Sequence, residues 1–206
     1  MKNGKKIWEK KIGTAIWGAV YTGSGYLVAP TTDGSLVKMN YSGGMLWKIK
    51  LSRGILSTPL CLERDNLVVF GCKDRYIYGF SLKNGAFRWK VLSNGEVNAP
   101  PTYCDNMILV GSKDKNLYAI NIHGRVKWKT NLHGSILSKP ICRDGKLFVT
   151  TYSSRLYALD PRNGSVIDSF KASSPIYSSC IAVGDRLYFG SNGGLLYAVD
   201  IFGQKN

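Results

Sequence analysis

A Gly-x-x-x-Trp element occurs four times, running from Gly4 to Trp8, Gly43 to Trp47, Gly85 to Trp89 and Gly124 to Trp128. Gly164 opens a fifth copy that carries Asp168 where the indole is expected. The glycines step by 39, 42, 39 and 40 residues. A second fingerprint runs in the same phase: Leu36 to Asn40, Ile77 to Ser81, Leu117 to Asn121, Leu156 to Asp160 and Leu196 to Asp200. A third is a short apolar stretch entering Ser, Pro or a small residue, as at Leu56-Ser57-Thr58-Pro59, Val97-Asn98-Ala99-Pro100, Leu137-Ser138-Lys139-Pro140 and Tyr177-Ser178-Ser179-Cys180. Ile16-Trp17-Gly18-Ala19 is the divergent first copy of it. A period near forty confines the chain to a repeat architecture in which each unit covers its neighbour's apolar faces.

Within each unit, four short runs rich in Val, Ile, Leu, Tyr and Trp alternate with Gly, Asn, Asp and Ser, and no helical period is present. In the third unit the runs fall near 96–103, 106–111, 116–121 and 125–130, with Cys104-Asp105, Lys113-Asp114 and His123-Gly124 at the turns. Four antiparallel strands per forty residues is the arithmetic of a propeller blade. The expected fold is therefore all-β: a single domain over residues 1–206, with blades at about 13–50, 54–91, 95–130, 134–170, and 174–201 plus 5–12. Residues 5–12 are expected to add as the outermost strand of the last blade and close a monomeric five-bladed ring, which removes an edge prone to aggregation. A fragment of a longer propeller, or five blades completed by a partner, is the competing arrangement.

The runs Leu156-Tyr157-Ala158-Leu159-Asp160-Pro161-Arg162-Asn163-Gly164 and Leu117 through Trp128 resemble the PQQ-like (quinoprotein-type) β-propeller repeat family. The resemblance implies the fold over the whole chain. It implies little about function, because relatives include quinone-dependent dehydrogenases, the propeller of an outer-membrane barrel-assembly lipoprotein and propellers attached to other enzymes. In this family the repeated tryptophan packs between neighbouring blades, a structural role carried over to Trp8, Trp47, Trp89 and Trp128. Those dehydrogenases resemble eight-bladed rings and place an adjacent cysteine pair beside the cofactor; this chain has five units and no adjacent cysteines.

No catalytic, cofactor or metal residues are expected. Asp33, Asp65, Asp74, Asp105, Asp114, Asp144 and Asp185 fall at turns, where a carboxylate shapes the bend. His123 and His133 suggest no third metal ligand. Phosphate-loop, hydrolase-elbow and zincin motifs do not occur. The five cysteines are scattered and odd in number, the pattern of reduced, buried thiols in a cytoplasmic protein. The amino terminus lacks the apolar run of a signal peptide, and no window is long enough to span a bilayer.

Charge carries the functional expectation. With 28 Lys+Arg against 13 Asp+Glu the net charge is +15, and the pI is near 9.7. Basic residues recur beside the blade tryptophans, where lysine guards an outer strand against edge pairing. They recur again in the second hairpin of each blade, at Lys73, Arg75, Lys113, Lys115 and Arg155. Equivalent hairpins point the same way, so these side chains form a candidate binding face. Trp17, expected on the innermost strand of the first blade at the position that Lys139 fills in the fourth, is added to it together with Lys139, although Trp17 also suits a plug for the narrow axis. A non-catalytic platform for an acidic protein partner is the leading expectation. A glycan- or small-ligand-binding propeller, a quinone-dependent oxidoreductase, and nucleic-acid binding through the basic face are the alternatives.

Overall fold

A computed structural model describes residues 4–201. Among these described residues the short runs form nineteen strands in five antiparallel sheets. The first sheet comprises β1 (Tyr21–Gly23), β2 (Tyr26–Pro30), β3 (Ser35–Asn40) and β4 (Met45–Lys50). The second comprises β5 (Leu60–Leu62), β6 (Leu67–Gly71), β7 (Tyr76–Ser81) and β8 (Phe87–Leu92). In the third are β9 (Thr102–Cys104), β10 (Met107–Gly111), β11 (Asn116–Ile120) and β12 (Val126–Asn131). The fourth holds β13 (Ile141–Arg143), β14 (Lys146–Thr151), β15 (Arg155–Leu159) and β16 (Val166–Lys171). The fifth has three strands, β17 (Ile181–Val183), β18 (Arg186–Gly190) and β19 (Leu196–Asp200). Each sheet is a meander, with its strands in chain order. The first strand of each is shorter than expected: 96–101 is a bend and loop rather than ladder. Pro100 and Pro101 there have no N–H to give to a sheet.

Alternation gives every sheet two apolar faces, and consecutive sheets bury them against each other. Val28, Leu36, Trp47 and Ile49 of the first meet Val68, Phe70, Tyr78 and Phe80 of the second. Leu67, Val69, Ile77 and Val91 of the second meet Ile108, Val110, Tyr118 and Ile120 of the third. Leu109, Leu117 and Ala119 then meet Leu147, Val149, Tyr157 and Leu159. Phe148 and Leu156 meet Leu187, Phe189, Tyr197 and Val199. At the periphery each indole stands on the next sheet's final turn. A Cβ at Gly124, whose φ is +80°, would lie 2.6 Å from Cγ of Trp89, so that position requires glycine on both counts.

The far face of the last sheet repeats this chemistry without a neighbour among the described residues. Leu36, Ile77, Leu117 and Leu156 are buried, while the equivalent Leu196 is 79% exposed, along with Ile181 at 61%. Residues 5–12 form no ladder, and β19 pairs only with β18 among the described residues. The expected ladder between residues 5–12 and β19 is thus not formed here. The segment is held at the first sheet instead: Trp8 donates its indole N–H to the Tyr41 carbonyl at 2.8 Å and Lys10 reaches the Gly43 carbonyl at 2.9 Å. These are the contacts a fourth strand makes with the sheet that follows it. No helix among the described residues is long and apolar enough to cross a membrane.

One expectation is overturned at the inner strands. Cys104 of β9 and Cys142 of β13 are joined by a disulfide with a Cα–Cα distance of 6.1 Å, tying the third sheet to the fourth. A separation of 38 residues is one repeat, which places equivalent positions of adjoining blades side by side. Cys61, Cys72 and Cys180 are free and buried, and burial pushes each thiol up to about 12.

Two measurements check this architecture. Leu117→Ala costs about 2–5 kcal/mol, whereas Leu196→Ala stays within about 0.5 kcal/mol in urea unfolding; equal losses would show the last face covered. A thiol titration of denatured, unreduced protein gives three groups, rising to five after reduction, and the native protein reacts with none.

Candidate basic docking groove

The hairpins joining the second and third strands of each sheet, together with the connections that leave the fourth, share one face. Across the first three blades they enclose a groove of about 870 Å³. Arg53 and Glu96 come from the connections; Asp33, Lys73, Asp74 and Arg75 come from the hairpins. Asp is required in these hairpins by the backbone. The Asp33 carboxylate accepts the Thr31 hydroxyl and the Ser35 N–H, and Asp74 accepts the Tyr76 N–H at 3.1 Å and the Tyr78 hydroxyl at 2.7 Å. The turn role expected of the acidic residues is thereby seen at these two positions.

Those bonds decide the sign of the groove. Asp33 is held well below the usual carboxylate range, first by the Thr31 hydroxyl and then by Lys50, which pairs with it at 3.0 Å. Glu96 is held low chiefly by Lys113 at 2.6 Å, with a smaller contribution from the Lys73 charge. Asp33 and Glu96 are therefore ionised, and all three carboxylates are already engaged. Arg53, Lys73 and Arg75 make no salt bridge and no side-chain hydrogen bond among the described residues. The groove offers unsatisfied cations rather than balanced charge.

Of the residues expected from sequence, the structure brings Lys73, Arg75 and Lys113 together, the last as the partner of Glu96. Lys115 is exposed on the next hairpin, and Arg155 is half-buried beyond it with its guanidinium on the Ser169 hydroxyl at 3.1 Å. Neither lines the groove. Lys139 is exposed before β13 and donates its backbone N–H to Ser179. Trp17 is 74% exposed, which does not suit a plug, and it lines no groove with Lys139. Arg53 was not anticipated. Its signal was present: Ser52-Arg53-Gly54 aligns with Ser93-Asn94-Gly95 and Leu132-His133-Gly134, and Arg53 puts a permanent positive charge where those two have Asn94 and His133.

Backbone strain lies on the same face. Arg75 and Lys115 have φ of 76° and 73°, in the left-handed region, at the hairpin position where the first and last units have Gly34 and Gly194. A side chain there costs about 1 kcal/mol or more, a cost that persists where the chain gains something else from it.

Meandering four-stranded sheets packed face to face, each clamped by an indole one repeat away, define a β-propeller-type repeat protein. The chain belongs to the PQQ-like family described as outer membrane protein assembly factor BamB, whose model matches residues 1–98 and 73–205. A BamB of Burkholderia pseudomallei is 26% identical over 127 residues, 59% of this chain and 33% of that protein. Among solved structures, BamB from Moraxella catarrhalis superposes with a TM-score of 0.83 at 21% identity, over 94% of this chain and 61% of its own. The computationally designed Ika8 protein gives 0.78 at 15%, over 88% and 57%, and Saccharomyces cerevisiae Sqt1 gives 0.74 at 17%, over 85% and 55%. The structural likenesses show the fold alone. The chain spans a third of the curated relative and somewhat over half of the matched structures.

Replacing Arg75 by glycine relieves the strained turn: Arg75→Gly raises unfolding stability by about 1 kcal/mol in urea, and no gain would mean the turn is unstrained.

Proposed function

We propose that the protein is a non-catalytic docking platform in outer-membrane protein assembly, holding an acidic segment of a protein partner in the groove of Arg53, Lys73 and Arg75. The observation that carries this reading is the pairing state of the groove: its carboxylates are engaged and these three cations are not. A carboxylate-rich segment supplies the charge they lack, and loops held by rigid sheets keep them in place without ligand. The non-catalytic assignment rests on the family description, an assembly factor. The Cys104–Cys142 disulfide supports an oxidising compartment in place of the cytoplasmic one expected from scattered thiols.

Residues 5–12 are, in this reading, the fourth strand of whichever blade adjoins the first around the ring, the place Trp8 already holds. Given to β19 of the same chain, the segment closes five blades. Light scattering at 22.8 kDa, with slowed amide exchange at 5–12, tests that form; a larger particle assigns the segment to another copy.

The docking test uses a fluorescein-labelled glutamate decapeptide followed by anisotropy. Lys73→Glu with Arg75→Glu weakens binding at least ~10-fold, the loss of two charge-assisted contacts, while the same charge change at Lys127 and Lys129 on the outer strand weakens it less than ~2-fold. Equal losses in both variants would reduce the groove to net charge. Tighter binding of a single-stranded oligonucleotide, steeply weakened by salt, would favour the nucleic-acid reading.

A further inference from the structure

We infer that the junction of the fourth and fifth blades is a binding site for a tryptophan side chain of a partner protein, in the place where this chain lacks its own. At the other junctions the indole N–H donates to one particular carbonyl. Trp47 reaches Leu82 at 3.0 Å, Trp89 reaches Ile122 at 2.9 Å and Trp128 reaches Pro161 at 3.1 Å. Trp8 reaches Tyr41 in the same manner. Each acceptor is the residue directly after the third-strand fingerprint, and its counterpart in the last blade is Ile201.

The side chain that should face Ile201 is Asp168, and its carboxylate turns back to accept the N–H of Ser169 at 2.7 Å. The space an indole fills elsewhere is a cavity of about 500 Å³. Phe148, Leu156, Phe170, Leu187, Val199 and Ile201 give it an apolar side, and Lys146, Asp168, Ser169 and Asp200 line the rest. Lys146 reaches the Ile201 carbonyl at 3.3 Å, which does not exclude an indole: the Leu82 carbonyl accepts both Lys38 at 2.9 Å and Trp47. The apolar side and a carbonyl acceptor in the register used by four resident tryptophans select an aromatic ring with an N–H. Leucine or phenylalanine fills the apolar side and makes no bond to that carbonyl. The site lies apart from the basic groove and does not depend on it.

The test follows 5-fluoroindole by fluorine NMR with the full chain. The wild type gives saturable broadening in the ~0.1–1 mM range, as suits about ten heavy atoms. 1-Methylindole, without the N–H, competes about 5–10-fold less well, one hydrogen bond's worth. N-acetyl-tryptophanamide competes and N-acetyl-leucinamide does not. Asp168→Ala keeps the binding. Asp168→Trp restores the repeat, abolishes binding and raises Tm by about 2–4 °C. Should D168W not fold, Ala158→Leu narrows the same cavity and gives the same loss. The proposal is overturned by absence of broadening in the wild type, by equal binding in D168W, or by binding that appears only in Phe202→Ala, which would assign the cavity to the chain's own Phe202.

Discussion

Everything in this protein depends on one contact repeated along the chain: the apolar face of a blade pressed on the next, with an indole bonded across the outer edge of the seam. Burying both faces of a four-stranded sheet is beyond the reach of a forty-residue unit, so stability is a property of the seams. The tryptophan contributes area and a directional bond, and the bond fixes register. It reaches a carbonyl 33 residues away from Trp8, Trp89 and Trp128, and 35 from Trp47. Glycine under the ring follows from that approach rather than from any need for flexibility. Where the seam is absent, at the far face of the last blade, the same leucine passes from buried to exposed.

Function follows from what the seams leave free. Rigid stacked sheets present their hairpins on a common face, and the hairpins are where composition varies between units. The aspartates recur there to shape the turns, and in doing so they are used up as counter-ions. The cations beside them are left to the solvent. Arg75, Lys115 and Ser154 occupy left-handed positions held by glycine in the first and last units, so local preference is overridden at this turn in three of the five units.

Much of this was legible in sequence. The period, the four strands per unit and the turn aspartates follow from local pattern, because strand alternation and turn chemistry are short-range effects; the inter-blade place of the tryptophans came only with the resemblance to the PQQ-like family. Asp168 stood out as a break in the pattern without revealing a cavity. Emptiness is a relation between Asp168 on β16 and Val199 and Ile201 in the next blade, and sequence does not measure it. Cys104 and Cys142 looked like two scattered thiols for a similar reason: 38 residues mean nothing locally and one blade spatially. The proline-bearing starts of the inner strands were read as longer ladders because their apolar character is strand-like, while the missing N–H groups act only when a partner strand is sought.

The amino-acid sequence by itself determined the unit: its length, its alternation, its glycine turns and the aromatic clamp, all set by interactions within about forty residues. Tertiary structure alone decided the rest: which cations remain unpaired, which cysteines meet, how residues 5–12 lie against the first blade, and what an aspartate leaves open at the last seam. The physical reason is the same in each case. These are properties of the space between one unit and the next, and that space exists only once the faces have packed.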